Sequence, residues 1–211
     1  MKLLHLGDLH LGKSLGDFDL IEDQEFILKE VLKIIKKQKI DTVLIAGDVY
    51  DKSIPSEAAT VLLDFFLCEL AKLKVNTFMI SGNHDSDDRL NYGSSLFESN
   101  RIFISAVYNG SLYKQTVTDE FGELDVYLLP FVKASQVRRF FPEEEIRSYE
   151  DAVKIILDHA QIDKKRRNVL VAHQFVCGKG GDPECAGSEG ASVRSVGTVE
   201  RIGFSCFNAL L

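Results

Sequence analysis

The stretch TVLIAGDVYD, residues 42–51, decides the fold, because a short apolar run passes directly into a glycine and an acidic residue. LLHLGDLH at residues 3–10 and TFMISGNHD at residues 77–85 have the same layout. Short apolar runs bounded by turn residues are typical of buried strands. The sequence therefore predicts three strands that each end at polar side chains.

Helical patterns alternate with the apolar runs, which predicts an α/β fold. Asp17 or Asp19 is expected to cap the first helix. Ser148 and Asp151 form a capping-box pattern before the third. The predicted elements are strands 3–6, 42–46, 76–81, 125–129 and 169–172 and helices 20–37, 56–74 and 149–161.

Length and composition fit one large globular domain, residues 1–211, with 45% apolar and 27% charged residues. No run approaches the ~18 apolar residues of a membrane helix. The N-terminus lacks the pattern of a signal peptide, so a cytoplasmic protein is expected. The four cysteines show no C-x-x-C spacing and are expected to be free thiols, with a bridge between Cys177 and Cys185 as the alternative.

The net charge of -7 is unfavourable for a protein that holds nucleic acid by bulk electrostatics. It is compatible with a metal site, because bound ions supply positive charge that carboxylates offset. Basic residues occur together at 138–139 and 164–167. Solvated surface is the favoured interpretation of both, and nucleic-acid contact is the alternative.

Metal-ligand side chains follow four of the predicted strands. Ligands bind beyond the carboxyl ends of strands in open α/β sheets, so these side chains are expected to meet in one crevice. Carboxylate, amide and imidazole groups suit divalent ions, and two ions can promote phosphoryl displacement. Asp48, central in the order, is expected to bridge them. The candidates are Asp8, His10, Asp48, Asn83, His84 and His173.

The combination of motifs is far more specific than any of its parts. Asp8 alone is typical of a turn residue, His10 alone of a polar histidine and Gly82-Asn83 alone of a turn. The ordered series D-x-H, G-D-x-x-D and G-N-H-D, each after an apolar run, is very hard to obtain by chance. The glycine before each motif is expected to let the backbone turn tightly as it leaves the strand.

GDLH, GDVYD and GNHD resemble the calcineurin-like metallophosphoesterase superfamily. MKLLHLGDLHLGKSL, IAGDVYDKSIPSEAA and SGNHDSDDRLNYGSSLF are similar to its SbcD family of nucleases, relatives of the Mre-type nucleases. YLLPFVK and the strand ending at Ala172-His173 fit as well. The resemblance implies two mixed β-sheets sandwiched by helices in a four-layer αββα arrangement.

The resemblance also implies roles for single residues. Asp8, His10 and Asp48 would bind one metal, and Asp48, Asn83 and His173 the other. Asp48 and His84 would be the catalytic residues, and His84 would lie beside the scissile phosphate, where it would stabilise the transition state or protonate the leaving oxygen. Asp51 and Asp85 would lie behind the ligands.

The same resemblance implies cofactors and partners. Two divalent ions, most simply Mn²⁺, would serve cleavage of DNA ends and hairpins in repair or recombination. An SMC-like coiled-coil ATPase would be the partner subunit, and the helix at 56–74 would form a homodimer. The strongly apolar character of that helix has a second interpretation, burial between layers.

One feature departs from the family pattern. The later G-H-x-H motif does not occur in these 211 residues. We therefore expect a C-terminally incomplete domain without the capping domain and the ATPase-binding segment, with empty or partly filled metal sites and little or no nuclease activity. An exposed sheet edge is expected near residues 204–211, and the Gly- and Ser-rich segment 177–197 is expected to be a functional loop.

Two other functions remain open at the level of sequence. A phosphoesterase acting on proteins or small molecules would share the fold, and the residues after each motif distinguish it. A binding module on an inactive phosphoesterase scaffold is the third interpretation. The intact candidate ligands argue against that interpretation, and the absent final motif argues for it.

Overall fold

The computed structural model describes residues 1–174, 176–177, 199–200 and 209–210. It divides the chain into two compact units, Met1–Val107 and Tyr108–Leu211. Each unit has its own buried apolar cluster, so each is described by itself.

The first unit contains a four-stranded sheet in the order β1-β4-β5-β6, and all its neighbouring strands are parallel. Leu3 pairs with Thr42 and Thr42 with Asn76, so β1, β4 and β5 run side by side in register. The carboxyl ends of parallel neighbours meet at one edge. The strands are β1 Leu3–Leu6, β4 Thr42–Ala46, β5 Asn76–Ile80 and β6 Ile102–Ser105.

The central strands are apolar because both of their faces are covered. Every residue of β4 is buried, and so are the last four of β5. Strands buried on both faces read as continuous apolar runs rather than as alternating patterns. This explains why the sequence predicted these two strands to within a residue.

Two long helices, α1 (Ile21–Gln38) and α2 (Glu57–Lys72), pack in the first unit. The N-cap residue of α1 is Leu20, which makes no side-chain capping hydrogen bond, so the prediction of an aspartate at the cap position was wrong. Asp19 Oδ1, one residue earlier, accepts a hydrogen bond of 3.0 Å from the first helical amide, at Ile21. Ser56 caps α2 by accepting from the Ala59 amide.

The apolar character of α2 is largely explained by burial within its own unit. The buried residues include Phe66, and full burial of such a side chain contributes about 1.5–3 kcal/mol. Val61 is 61% exposed, and Phe65, one turn further along, is only partly buried against the same apolar cluster. Burial is thus the main reason for the pattern, and only a narrow apolar stripe is left over.

The second unit contains a mixed sheet in the order β12-β9-β8-β7. β7 and β8 form an antiparallel hairpin, whereas β9 is parallel to β8 and to β12. Its strands are β7 Tyr113–Asp119, β8 Gly122–Leu129, β9 Arg167–Ala172 and β12 Ala209–Leu210. The predicted mixed character holds for this sheet, while the first sheet is parallel throughout its described strands.

The remaining elements are short apart from α6, which spans Tyr149–His159. Ser148 and Asp151 form the predicted capping box before it. The other strands are the hairpin β2 Ser14–Leu15 and β3 Phe18–Asp19 and the parallel pair β10 Val176–Cys177 and β11 Val199–Glu200. The other helices are α3 Asp87–Leu90, α4 Ser94–Phe97, a 3-10 turn at Glu98–Asn100 and α5 Ala134–Val137.

The strands that precede the candidate ligands are divided between the two sheets. The strand that precedes His173 is β9, which belongs to the second sheet and not to the sheet of β1, β4 and β5. A common strand edge therefore unites only the first three motifs. Apolar periodicity identifies a strand but carries no information about which sheet it joins.

The basic residues at 164–167 are partly engaged in internal ion pairs. Arg166 contacts the buried Asp125 through Nε at 2.7 Å, and its Nη1 lies 2.6 Å from Glu123. Arg167 contacts Asp119 at 2.7 Å and donates to the Gly122 carbonyl. These guanidinium groups fasten β9 and the preceding turn to the β7–β8 hairpin.

Some predictions concern residues on which the structure gives little. Cys68 is an exposed free thiol. Cys185, Cys206 and the side chain of Cys177 lie outside the described residues, as does most of the predicted loop 177–197. In the predicted edge region 204–211 only β12 is described, at one end of its sheet. Within the described part of the chain, no helix has the length and apolar character needed to cross a membrane.

Candidate metal centre

The loop after β1 carries Asp8 and His10 in an unusual backbone conformation. Their φ angles are 53° and 42°, in the left-handed region that L-residues seldom adopt. Asp48, in the loop after β4, has a φ of 47°. Each such residue costs on the order of 1–3 kcal/mol and persists only where its surroundings enforce it. Three candidate ligands thus share a strained conformation.

Backbone hydrogen bonds between the first two loops enforce these bends. The His10 amide donates to the Asp48 carbonyl at 2.9 Å, and the Leu11 amide donates to the Val49 carbonyl at 2.9 Å. The Asp8 amide donates to the Gly47 carbonyl at 3.3 Å. The two loops are therefore joined as a short continuation of the β1–β4 pair.

The third loop, after β5, approaches Asp48 closely at Gly82. A Cβ atom added to Gly82 would lie 2.0 Å from Asp48 Oδ1, which leaves no room for any other residue. The Asp48 carboxylate, only 3% exposed as a residue, accepts a hydrogen bond of 2.9 Å from the His84 amide. The backbone around G-N-H-D thereby fixes the orientation of Asp48.

Acidic and imidazole groups converge beyond these loops. His10 Nε2 lies 3.7 Å from Asp8 Oδ1 and 3.6 Å from Asp48 Oδ2. These separations are too long for good hydrogen bonds. They suit two donors of one ion, since ligand-to-ion distances of about 2.0–2.2 Å place donors up to roughly 4 Å apart. Mixed oxygen and nitrogen donors also match divalent ions, so these residues fit a metal.

His84 stands at the same place with a defined hydrogen bond. Its Nδ1 lies 3.0 Å from the Asp51 carbonyl oxygen, and its Nε2 lies 3.9 Å from Asp48 Oδ2. A carbonyl only accepts hydrogen bonds, so Nδ1 carries the proton in the neutral ring. The ligand atoms of His10, Asp48 and His84 all lie within 4.8 Å of one another. By distance alone, His84 could bind a metal or act beside one.

Asp51 and Asp85 contact the three loops but are not themselves candidate ligands. Asp51 Oδ1 lies 3.4 Å from His10 Nδ1, on the ring side opposite the candidate ligand atom. A carboxylate beside the second nitrogen is the usual partner of a metal-binding histidine. Asp85 accepts hydrogen bonds from the amides of Val49, Tyr50 and Gly82, all between 2.9 and 3.0 Å. Burial raises the pKa of Asp85, against the effect of these three bonds.

The remaining predicted ligands are Asn83 and His173. Asn83 is half-buried and lies in the third loop, between Gly82 and His84. His173 is half-buried and directly follows β9 in the second unit. The structure thus brings the motifs of the first unit to one sheet edge, whereas the part of His173 remains a prediction.

The predicted role of the motif glycines is correct at only one position. Gly47 has a φ of 79°, as a tight turn requires. Gly82 is needed for close approach and not for its φ angle. At Gly7 a Cβ atom would lie 3.8 Å from the Ala46 carbonyl, an ordinary contact. No sequence signal predicted that three candidate ligands would be left-handed, because these bends come from contacts between loops.

The fold and the site define a phosphoesterase with an acidic and histidine-rich centre. The chain matches the calcineurin-like phosphoesterase family over residues 1–189 and belongs to it. Members of this family use divalent metals, and the donor set described above is consistent with that chemistry.

Two relatives show which members of this family the chain is similar to. The chain is 35% identical to the SbcD subunit of the SbcCD nuclease of Staphylococcus epidermidis over 212 residues, 98% of this chain and 54% of the relative. It is also 35% identical to the protein of the same name from Staphylococcus saprophyticus over 211 residues, 99% of this chain and 54% of the relative. The chain spans about half the length of the curated relatives it matches.

Proposed function

We propose that the chain is the phosphodiesterase domain of a metal-dependent DNA nuclease of the SbcD type. The observation that carries the proposal is the position of His10 Nε2, 3.6–3.7 Å from carboxylate oxygens of Asp8 and Asp48. Similarity to nuclease subunits over nearly the full chain supports DNA as the substrate. The reaction is hydrolysis of a phosphodiester bond.

In this proposal Asp8, His10 and Asp48 would hold one divalent ion, and Asp48 would serve a second ion together with Asn83 and His173. The ions, for which we propose Mn²⁺, would supply Lewis acidity toward the phosphate and the attacking water. The protein contributes orientation, since Asp48 is fixed by the His84 amide and its loop by Asp85.

His84 acts on the leaving group in this scheme. Its Nδ1 proton is engaged by the Asp51 carbonyl, so the proton that it gives up is the one carried on Nε2. The imidazolium form donates that proton to the departing oxygen, and the neutral ring remains held by Asp51. The half-exposed position of His84 lets a substrate reach Nε2.

The scheme separates the roles of two residues. His84→Gln should retain Mn²⁺ binding in isothermal titration calorimetry while hydrolysis falls by about 10²–10⁴-fold, the usual contribution of a general acid. Asp48→Ala should lose binding itself. Metal loss in His84→Gln equal to that in Asp48→Ala would show that His84 is a ligand.

Substrate class is tested by three compounds offered with Mn²⁺: a DNA hairpin, bis-p-nitrophenyl phosphate and a phosphoserine peptide. We expect the DNA and the small phosphodiester to be cut, and the phosphopeptide to be left intact. Metal binding is measured first, because hydrolysis by this mechanism requires the bound ions. Preferential cleavage of the phosphopeptide would favour the alternative function, and a chain that neither binds Mn²⁺ nor hydrolyses any compound would favour a binding scaffold.

We further propose an SMC-like coiled-coil ATPase as partner and a cytoplasmic, nucleoid-associated location. Support comes from the names of the relatives, which describe them as subunits of the SbcCD nuclease. Co-purification with a co-expressed ATPase subunit tests the partnership. Failure of the two chains to associate would remove it.

A twofold homodimer through α2 is the remaining proposal. The exposed Val61 and the partly buried Phe65 form a stripe that two copies can share. Val61→Asp should raise the dimer dissociation constant in analytical ultracentrifugation, while Cys68→Ser on the same helix serves as control. A parent chain that stays monomeric at high concentration would contradict the proposal.

A further inference from the structure

The carboxamide of Gln24, on the first turns of α1, contacts the loop that carries the first two candidate ligands. Its Nε2 donates to the His10 carbonyl at 2.8 Å and to the Leu9 carbonyl at 3.3 Å. Its Oε1 accepts from the Gly12 amide at 2.9 Å. One side chain therefore binds three separate backbone groups of the loop.

The chemistry of these bonds leaves one orientation of the amide group. Carbonyl oxygens only accept and a backbone amide only donates, so the nitrogen must face Leu9 and His10 and the oxygen must face Gly12. Both donor hydrogens and the acceptor oxygen of Gln24 are used. The carboxamide therefore bonds to the loop in the way that the backbone of a neighbouring strand would.

The loop needs a partner on this side. On the other side, its His10 and Leu11 amides donate to the loop after β4. His10 and Gly12 have φ angles of 42° and 84°, and the first of these is costly for a residue with a Cβ. Gln24 holds the carbonyl of His10 itself, so it fixes the peptide plane next to the strained residue.

We propose that Gln24 is a positioning residue that holds the His10 backbone in its left-handed conformation and thereby keeps Nε2 beside Asp8 and Asp48. Gln24 touches neither substrate nor metal in this role. The inference rests on the proposed metal function. It adds that metal affinity depends on a helix residue outside every motif of the sequence.

The test uses the 211-residue chain with Gln24→Leu, which keeps the volume and removes the hydrogen bonds. Gln38→Leu, at an exposed position of the same helix, is the matched control. Binding of Mn²⁺ alone is measured by titration calorimetry, and exchange of the Gly12 amide is measured by NMR without metal. Loss of a residue that orients a ligand typically costs about 10–100-fold in metal affinity.

We expect Gln24→Leu to bind Mn²⁺ about 10–100-fold more weakly and to exchange Gly12 about 10-fold faster. Gln38→Leu should match the parent in both. Gln24→Asn, whose shorter side chain cannot make all three contacts, should behave like Gln24→Leu. If the leucine variant does not fold, the asparagine variant tests the proposal in its place. Parent-like affinity and exchange in the folded variant would overturn the proposal.

The two readouts separate two kinds of failure. If the parent chain itself binds no Mn²⁺, the proposed function fails, and Gly12 exchange still reports whether Gln24 orders the loop. If the parent binds Mn²⁺ and the Gln24 variants bind equally well, only the positioning role is wrong.

Discussion

Two buried aspartates, one in each unit, have opposite surroundings. Asp125 of the second unit accepts hydrogen bonds from Thr116 at 2.6 Å and Arg166 at 2.8 Å. Asp48 of the first unit meets the His84 amide and has the imidazole nitrogens of His10 and His84 at 3.6 Å and 3.9 Å. One carboxylate is neutralised by a permanent cation, and the other is surrounded by groups that can share a metal with it.

The difference teaches what to look for in a buried carboxylate. A guanidinium at hydrogen-bond distance completes a structural pair, as for Asp125. Imidazole nitrogens held just beyond hydrogen-bond distance leave space for an ion between them and the carboxylate. Burial alone does not separate the two cases, because Asp125 and Asp48 are 0% and 3% exposed.

The largest expected effect is that of Asp48→Asn on metal binding. Removal of a group that only hydrogen-bonds to a metal ligand already lowers metal affinity about 10–100-fold. Loss of a ligand shared by both ions should therefore lower Mn²⁺ affinity by more than about 100-fold. Titration calorimetry measures this. Asp125→Asn, which also neutralises a buried carboxylate, should leave Mn²⁺ affinity unchanged, and equal losses in both variants would erase the contrast between the two sites.

Arg166→Ala should lower the stability of the fold and leave Mn²⁺ affinity unchanged. It leaves Asp125 buried without its guanidinium partner, which costs about 3–5 kcal/mol of unfolding free energy. Urea denaturation measures the loss, with Arg139→Ala at an exposed position as control. The double variant Asp125→Asn/Arg166→Ala should regain part of the stability. A parent-like midpoint for Arg166→Ala would mean that the ion pair contributes little.

Gly82→Ala should lower both the stability of the fold and the affinity for Mn²⁺, by smaller amounts. The added methyl group would collide with Asp48 Oδ1, so the loop after β5 must shift, at a cost of about 1–3 kcal/mol. Mn²⁺ affinity should fall with it. Gly7→Ala, where the nearest contact is ordinary, is the control for a glycine in the equivalent motif position. Equal tolerance at both positions would contradict the close approach.

Acid pH should produce the smallest effect, a loss of unfolding free energy that comes from Asp125 in the second unit. Burial opposes ionisation of Asp125, yet hydrogen bonds from Thr116 and Arg166 outweigh it and hold its pKa below the usual range. A depressed pKa stabilises the fold above the unfolded value of about 3.9, and this stability is lost as pH falls through the folded pKa. Urea midpoints of the metal-free chain, measured from about pH 5 downward, should decline less steeply below the unfolded pKa in Asp125→Asn than in the parent.

The two central strands of the first unit could be predicted from the sequence because they are buried on both faces. Apolar runs at 42–46 and 76–80 leave little choice of structure. The strand β7, Tyr113–Asp119, was missed since its partly exposed sequence YKQTVTD lacks such a run. The strand β6, Ile102–Ser105, does carry an apolar signal, and it was overlooked.

The candidate site was predictable in its residue types but not in its geometry. Ligand chemistry at strand ends identified Asp8, His10 and Asp48. Their left-handed backbone and the contacts of Gln24 could not be inferred from the chain, because both depend on loops and a helix distant in sequence. A glutamine on an amphipathic helix gives no sign of which loop it will bind.

The strained bends at Asp8, His10 and Asp48 also have a consequence for how fast an ion is captured. Their hydrogen bonds are made by the protein to itself, so the conformational entropy of ordering the loops is lost during folding and not during ion capture. If Mn²⁺ binds as proposed, it would meet a receptor whose competent form is already the dominant one, and no population penalty would reduce the apparent affinity. The association rate should therefore follow the first power of the metal concentration without a plateau, as in single-step capture.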